Sequence, residues 1–160
     1  MDLFGFNVEL VFLIDKNTVL AYAWHYDEKK ALLHLNKIKK YHGLEGKIRK
    51  SEELEEWLRG KLEEIVIHGE EFDMPDIGYR NKRVYENIIR IPRGETSTYA
   101  KIARKSEVKF TELLVALMRN PFQILIPCHR LLTNKGTLLG FYPLGREVKK
   151  KLLEIEGAKW

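Results

Sequence analysis

The chain has 160 residues, a length typical of one domain or of two small ones. Its composition, with 44% hydrophobic and 32% charged residues, allows a packed core. Its single cysteine excludes an internal disulfide and any structural zinc site that needs two thiolates. The N-terminus lacks a signal-peptide pattern, and no apolar stretch approaches the roughly 18 residues of a transmembrane helix. We therefore expect a cytoplasmic protein with no membrane partner.

The net charge of +5 is divided unevenly. Residues 1–75 carry 11 basic and 15 acidic side chains, a net charge of −4, whereas residues 76–160 carry 17 and 8, a net charge of +9. This asymmetry indicates that the second half faces a polyanion, although an uneven partition on a heat-adapted surface is an alternative. The chain contains only one glutamine, Gln123, and a low glutamine content is typical of proteins from heat-adapted organisms. We predict two domains, residues 1–75 and residues 76–160. Segment 69–76 interrupts the helical and strand-like patterns of apolar residues, and the net charge of the chain changes from negative to positive there.

The first half begins with two runs of β-branched and aromatic residues around a turn cluster, a pattern typical of a β-hairpin. Apolar residues then recur at helical spacing, and a serine followed by two glutamates marks the start of a second helix. The predicted elements are a hairpin over residues 6–26 with its turn at 15–17, helices over 27–43 and 51–62 with Ser51 as the second N-cap, and a short buried strand at Ile65–Ile67.

The second half is predicted to be mainly helical. Val84–Ile91 has a helical apolar pattern that must end before Pro92. Ser97 or Thr98 is a candidate N-cap for a short helix at Tyr99–Arg104, and an apolar-striped helix follows and closes at Asn120-Pro121. Two helices joined by a short polar break on a basic half-chain are typical of a helix-turn-helix.

The only cysteine follows an apolar run, Ile124–Pro127, and precedes His129 and Arg130. We expect that run to be a buried strand that holds Cys128 at the rim of a pocket. Basic neighbours lower the pKa of a thiol and favour the nucleophilic thiolate. The alternative is an inert buried thiol, as free cysteines usually are.

At this point the chain resembles the O6-alkylguanine-DNA alkyltransferases over roughly residues 79–157. The resemblance lies in Ile91-Pro92-Arg93-Gly94 with Tyr99 and Ile102-Ala103, in Asn120-Pro121, in Ile126-Pro127-Cys128-His129-Arg130, and in Gly136, Gly140-Phe141, Lys149, Leu152-Leu153 and Glu156-Gly157. It implies an α+β protein, with an N-terminal α/β domain of ribonuclease H-like type that contains a small antiparallel sheet. It also implies a C-terminal, mainly helical domain with a winged helix-turn-helix.

The resemblance further implies a reaction and its catalytic residues. Cys128 would accept the alkyl group, His129 would remove the thiol proton through a water, Glu156 would orient His129, and Asn120 would fix the turn before the active-site segment. The thioether formed is too stable to hydrolyse, so each molecule would act once, as a suicide methyltransferase without cofactor or metal. The lesion would be O6-alkylguanine, with O4-alkylthymine left open.

The same resemblance implies contacts to the extruded base. Tyr99 would donate a hydrogen bond or proton to guanine N3, and the backbone carbonyls of Cys128 and Leu131 would accept its exocyclic amine. Tyr142 and Pro143 would lie in the loop that closes over the O6 substituent. Extrusion is required because O6 lies within the base stack, and phosphate contacts must offset its cost.

The expected partner is double-stranded DNA carrying O6-alkylguanine, bound by a monomer. Members of the family carry an intercalating arginine nine residues before the Asn-Pro step, and Thr111 stands there. Lys109 and Arg119 are nearby cations that could contact DNA, and Arg130 would brace the helix-turn-helix among the DNA-binding residues. The zinc site that some members hold with two N-terminal cysteines has no cysteines here.

Two other classes of protein compete with this interpretation. A non-catalytic relative that binds alkylated DNA and recruits repair factors would lack the acceptor cysteine, and Cys128 argues against it. A helix-turn-helix regulator or a Cys-His hydrolase unrelated to DNA damage would leave the spacing from Asn120-Pro121 to Pro127-Cys128 unexplained.

Overall fold

The structure, a computed structural model, describes residues 1–160 and combines helices with small β-ladders, so the mixed α+β class is confirmed. The strands are β1 (Asp2–Leu3), β2 (Phe6–Asn7), β3 (Glu9–Asp15), β4 (Thr18–His25), β5 (Lys47–Arg49), β6 (Ser97–Thr98) and β7 (Leu131–Leu132). The α-helices are α1 (Glu28–His42), α2 (Glu52–Leu62), α3 (Lys82–Ile89), α4 (Tyr99–Ser106), α5 (Phe110–Met118) and α6 (Arg146–Ile155). None of these helices could span a lipid bilayer.

The first half is built on the predicted hairpin, which is confirmed as the antiparallel pair β3–β4. β5 pairs with the other edge of β3, so the sheet has the order β4-β3-β5, and α1 packs across it. The hairpin is shorter than expected because Phe6–Asn7 pairs with Asp2–Leu3 in a separate ladder. Helix α1 ends where predicted, at Gly43, whose φ of 63° lies in the left-handed region that glycine favours.

The strand predicted at Ile65–Ile67 is wrong. These residues close a π-helical turn, Glu63–Ile67, that prolongs α2. Leu58, Leu62, Ile65 and Val66 follow one another at helical spacing and are all buried. The apolar run therefore continues one face of a helix instead of joining a sheet.

The second half contains the predicted pair of short helices. Ser51 of α2 and Thr98 of α4 both accept a backbone N–H as N-caps, and α3 ends before Pro92 as expected. Helices α4 and α5 contact each other and are separated by residues 107–109. The short ladder β6–β7 is parallel and joins the start of α4 to the residues after Cys128.

One hydrophobic core runs through both halves, as a single cluster of 40 buried residues extends from Leu3 to Leu152. Hydrogen bonds cross between the halves: the Tyr22 backbone N–H donates to the Pro121 carbonyl at 3.0 Å, and the Tyr79 hydroxyl donates to the Leu20 carbonyl at 2.5 Å. Segment 69–76 forms no helix or strand. The position of the Asn-Pro step therefore depends on the N-terminal hairpin.

Candidate active site around Cys128

The segment that leads to Cys128 is a sequence of turns, and the expected buried strand is a wrong prediction. Its apolar residues are indeed buried, but the Ile126 backbone N–H donates to the Phe122 carbonyl four residues back, at 2.8 Å. Cys128 itself begins a 3₁₀ turn, Cys128–Arg130. The backbone of the segment closes on itself through such turn hydrogen bonds, and its one β-type contact is an isolated bridge within the segment, between Gln123 and Ile126.

Asn120 ties these turns together. Its Oδ1 accepts the Phe122 backbone N–H at 2.9 Å, and its Nδ2 donates to the Ile126 carbonyl at 3.1 Å. The same Nδ2 lies 3.5 Å from Cys128 Sγ, within hydrogen-bond reach of sulfur. One amide therefore holds the start of the segment, its apolar middle and the thiol in a single arrangement.

Cys128 is 6% exposed, and burial raises the pKa of its thiol. The hydrogen bond from Asn120 and the positive charge of Lys149 oppose that rise. The thiol is consequently protonated at neutral pH, and a nucleophilic thiolate requires a base that removes the proton.

His129 and Glu156 supply such a base with a fixed orientation. His129 Nε2 lies 3.0 Å from Glu156 Oε1, and both side chains are fully buried. Burial lowers the pKa of His129, and Glu156 opposes that shift only in part, so the ring is neutral near pH 7. A neutral ring facing a carboxylate carries its proton on Nε2, which leaves the lone pair on Nδ1; that atom has no protein hydrogen-bond partner.

Arg130, predicted to brace the helix-turn-helix, completes the cluster from the interior of the protein. It is 3% exposed; its Nε donates to Glu156 Oε1 at 3.0 Å, and its terminal nitrogens donate to Glu156 Oε2 at 2.5 Å and to the Ile91 carbonyl at 2.7 Å. A guanidinium enclosed in this way lies in the interior, out of reach of a DNA phosphate at the surface. Burial pushes the pKa of Glu156 up, but the hydrogen bonds from His129 and Arg130 outweigh it and hold that pKa at about 2.

On the other side of the thiol, Lys149 donates from Nζ to the Tyr99 hydroxyl at 2.7 Å. Lys149 has no exposed surface, and burial lowers its pKa to about 8, against the opposing charge of Cys128. Burial, and secondarily the charge of Cys128, raises the pKa of Tyr99 well above its ordinary value, so its hydroxyl keeps its proton. Because that hydroxyl oxygen accepts from Lys149, its own proton is free to be donated to another group.

The thiol lies on the wall of an apolar cavity of about 490 Å³. The cavity is lined by Tyr99, Leu114, Leu117, Met118, Gln123, Cys128, Leu139, Gly140, Phe141, Tyr142, Pro143, Gly145 and Lys149. Leu131 is not among them; it is buried in β7, and its backbone N–H donates to the Cys128 carbonyl. Four of the eight residues that the resemblance assigns to chemistry and substrate thus line one cavity: Tyr99, Cys128, Tyr142 and Pro143.

The remaining DNA-facing candidates lie on the surface around α5. Thr111 and Lys109 are exposed, and Arg119 is half-buried at the end of the helix. Helix α5 carries no cation of its own, whereas Arg90, Lys101, Arg104 and Lys105 surround a groove of about 500 Å³ beside α4. Four cations of this half therefore lie beside α4, whereas α5 itself carries none.

Sequence reasoning did not single out Lys149 or Gln123 as members of the site. A signal for Lys149 was present, because its position is three and four residues before Leu152 and Leu153 and thus on the apolar face of α6. Gln123 gives no comparable signal, since its partners are distant in sequence.

Comparisons with known proteins agree with this geometry. Residues 80–158 match the family model described as the DNA-binding domain of 6-O-methylguanine DNA methyltransferase. A methylated-DNA–protein-cysteine methyltransferase of Methanothermobacter thermautotrophicus is 31% identical over 143 residues, covering 86% of this chain and 79% of the relative. One from Metallosphaera sedula is 40% identical over 98 residues, covering 58% of this chain and 62% of the relative.

The fold is also similar to that of a solved structure. The O6-methylguanine-DNA methyltransferase of Pyrococcus kodakaraensis strain KOD1 superimposes with a TM-score of 0.69, covering 94% of this chain and 92% of that one, at 22% identity. This likeness concerns the fold alone, whereas the sequence match to the Methanothermobacter protein covers most of both chains. The chain belongs to the methylated-DNA–protein-cysteine methyltransferase family.

Proposed function

We propose that this protein repairs DNA by moving the alkyl group from O6 of a guanine to Sγ of Cys128, once per molecule. The observation that carries the proposal is the placement of the chain's only thiol. It faces an apolar cavity, contacts Asn120, and is followed directly by a histidine that is oriented by a buried carboxylate. This is the series of nucleophile, base and orienting group that activates weak nucleophiles.

The proton of the thiol leaves toward His129. Nδ1 of the neutral ring takes it through a bridging water, and the resulting imidazolium is stabilised by the Glu156 carboxylate, whose pKa of about 2 keeps it charged. Arg130 keeps that carboxylate in place through two hydrogen bonds. The thiolate then attacks the alkyl carbon, the S–C bond forms as the C–O6 bond breaks, and the electron pair passes to the guanine.

The leaving guanine needs a proton or a hydrogen bond to carry that charge. Tyr99 supplies it at N3, and Lys149 increases the acidity of the Tyr99 hydroxyl by donating to its oxygen. The carbonyls of Cys128 and Leu131 accept the exocyclic amine; that of Cys128 already accepts one backbone N–H and has a second lone pair free. Tyr142 and Pro143 form the wall against the O6 substituent.

DNA reaches this site through the basic second half of the chain. The base must be extruded before its O6 can meet the thiol, and phosphate contacts help to offset that cost. Lys109 and Arg119 flank α5 and supply part of these contacts, and Thr111 lies on the exposed surface of the same helix. Arg130 acts from the interior as a brace.

We further propose that residues 1–75 form a ribonuclease H-like scaffold and residues 76–160 the alkyl-transfer and DNA-binding part of a monomer. The antiparallel sheet covered by α1 supports the first assignment. The helix pair α4–α5 beside the ladder β6–β7 supports a winged helix-turn-helix in the second.

Intact mass spectrometry tests the reaction directly. After incubation with a duplex that contains O6-methylguanine, we expect the protein mass to rise by one methyl group, located on Cys128 by peptide mapping. Cys128→Ala should show no increase while it still binds DNA, and the same duplex with unmodified guanine serves as the control. Persistent methylation of the Cys128→Ala protein would refute the proposal.

A further inference from the structure

Residues of the first half fix the backbone on both sides of Asn120. His42, the last residue of α1, is 6% exposed, and its Nε2 lies 2.8 Å from the carbonyl oxygen of Arg119. That carbonyl belongs to the peptide unit that joins Arg119 to Asn120. On the other side, the Pro121 carbonyl accepts the backbone N–H of Tyr22 at 3.0 Å. Asn120 is therefore held between two hydrogen bonds from the first half of the chain, and of these two only the bond from His42 is made by a side chain.

The surroundings of His42 determine which of its ring nitrogens carries the proton. The backbone N–H of Arg80 donates to Nδ1 at 3.1 Å, so Nδ1 keeps its lone pair and Nε2 carries the proton. Burial lowers the pKa of His42 to about 4, with the hydrogen bond to the Arg119 carbonyl opposing that shift and the charge of Arg80 adding to it. The ring is thus neutral near pH 7, and Nε2 is a donor to the Arg119 carbonyl. The Tyr85 hydroxyl lies nearby but donates to the Ala116 carbonyl at 2.7 Å.

We propose that His42 is a positioning residue for alkyl transfer: by its hydrogen bond to the Arg119 carbonyl it holds the Asn120 amide against the Cys128 thiol. The inference rests on the proposed function. Asn120 Nδ2 lies 3.5 Å from Cys128 Sγ, a contact that a small rotation of the side chain would break. The other two bonds of the amide run to residues that follow Asn120, so His42 supplies a restraint on the preceding side. A ring on α1 thereby acts on the nucleophile without touching it.

The effect on the reaction follows from the contact between Asn120 and the thiol. The hydrogen bond from Asn120 opposes the rise in the pKa of the Cys128 thiol that burial causes. If Asn120 turns away, that pKa rises further, and the thiolate is both harder to form and less well stabilised. His42 is buried, and α1 lies outside the basic half that is proposed to bind DNA. Loss of the His42 bond should therefore slow transfer at saturating DNA and leave the DNA affinity unchanged.

Two substitutions of His42 separate this role from a merely structural one. In His42→Gln the terminal amide reaches the former position of Nε2 and can donate to the Arg119 carbonyl, but the acceptor for the Arg80 N–H is lost. In His42→Asn the shorter amide lies near the former position of Nδ1, so the acceptor for Arg80 is kept and the donor to Arg119 is lost. Each variant loses one hydrogen bond, and only the asparagine variant loses the bond that the inference requires. His68→Asn, at an exposed histidine, is the matched control.

The first measurement is single-turnover transfer from an O6-methylguanine duplex at several DNA concentrations, which yields the rate at saturation and the dissociation constant separately. We expect the saturating rate of His42→Asn to fall about fivefold, the equivalent of one neutral hydrogen bond, with the dissociation constant unchanged. His42→Gln and His68→Asn should keep the parental rate.

The second measurement is alkylation of Cys128 by iodoacetamide without DNA, followed as a function of pH. The midpoint of this profile should lie at higher pH in His42→Asn than in His42→Gln. Lys149 and Tyr99, which also interact electrostatically with the thiol, are the same in every variant. Both assays are run below the melting temperature of the least stable variant.

Equal saturating rates in the two His42 variants, a loss confined to the dissociation constant, or equal alkylation midpoints would overturn the inference, because a purely structural contact is weakened by either substitution. A parent protein that is alkylated by iodoacetamide but takes no methyl group from the duplex would instead refute the proposed function. The alkylation midpoints alone would then decide whether His42 positions Asn120 against the thiol.

Discussion

Replacement of Lys149 by methionine should make the protein more stable and, at the same time, a slower alkyl acceptor. Burial lowers the pKa of Lys149 from 10.5 to about 8 in the folded chain. At about 1.4 kcal/mol per pKa unit, keeping the ammonium charged at pH 7 costs the folded state about 3 kcal/mol. The lost hydrogen bond to Tyr99 offsets about 1 kcal/mol of this. Methionine fills similar space, so we expect a net gain of about 2 kcal/mol, or roughly 4–8 °C in melting temperature.

The sign of the pH dependence follows from the same shift. A base whose pKa is lowered by folding carries its full penalty below the folded pKa, here about 8, and loses it as the pH rises toward 10.5. The stability advantage of Lys149→Met should therefore be largest near pH 7 and shrink steadily across that window. The transfer rate should fall roughly ten- to hundredfold, because the thiolate and the Tyr99 hydroxyl both lose a charged partner.

Thermal unfolding at pH 7 and pH 9.5 and single-turnover transfer from an O6-methylguanine duplex measure both effects. Lys150→Met is the matched control, because Lys150 is the exposed neighbour on α6 and its charge carries no burial penalty. A lower melting temperature for Lys149→Met, a stability difference that does not shrink at high pH, or an unchanged transfer rate would refute the reasoning.

Thr111→Arg should speed repair of a duplex lesion more than of a single-stranded one, and an unchanged ratio of the two second-order rates would contradict it. Glu156→Gln should lower the free energy of unfolding at pH 7 by about 3 kcal/mol, measured by urea unfolding, because buried Arg130 loses its counter-charge. In the parent protein, the stability that this carboxylate contributes should be lost as the pH falls from 4.5 to about 2. Lys109→Ala should weaken DNA binding at any sequence and reduce the slope of log affinity against log salt by about 1, whereas exposed Lys16→Ala should change neither.

The elements that could be predicted from the sequence are those with a local signal. The hairpin follows from two β-rich runs around Asp15–Asn17, α1 from its apolar period and Gly43, and the helix pair from the Thr98 cap and the polar break after α4. Two segments could not be assigned in this way. Ile65–Ile67 and Ile124–Ile126 are short apolar runs of the kind that strands contain, and only tertiary packing determines that one continues a helix and the other forms turns.

The residues of the site also differ in whether a local sequence pattern could predict their roles. Cys128 and His129 are adjacent in a motif, so their sequence was sufficient to propose their chemistry. The burial of Arg130 was not predictable from residue type, because it depends on a carboxylate 26 residues away. The contact of Gln123 with Trp24 joins residues 99 apart, and no local pattern reports a pair of that separation.

The continuous core has a consequence for how the chain can be divided. The Tyr22 and Phe122 rings, one from each half, lie 5.9 Å apart, so a polypeptide of either half alone would expose a large aromatic surface. A break at Glu70-Glu71, where both residues are exposed, would leave these contacts intact. Two such fragments should re-associate through that surface, and the acceptor thiol would then be organised only in the reassembled pair. Alkyl transfer by a mixture of the two fragments would therefore measure how completely they re-associate.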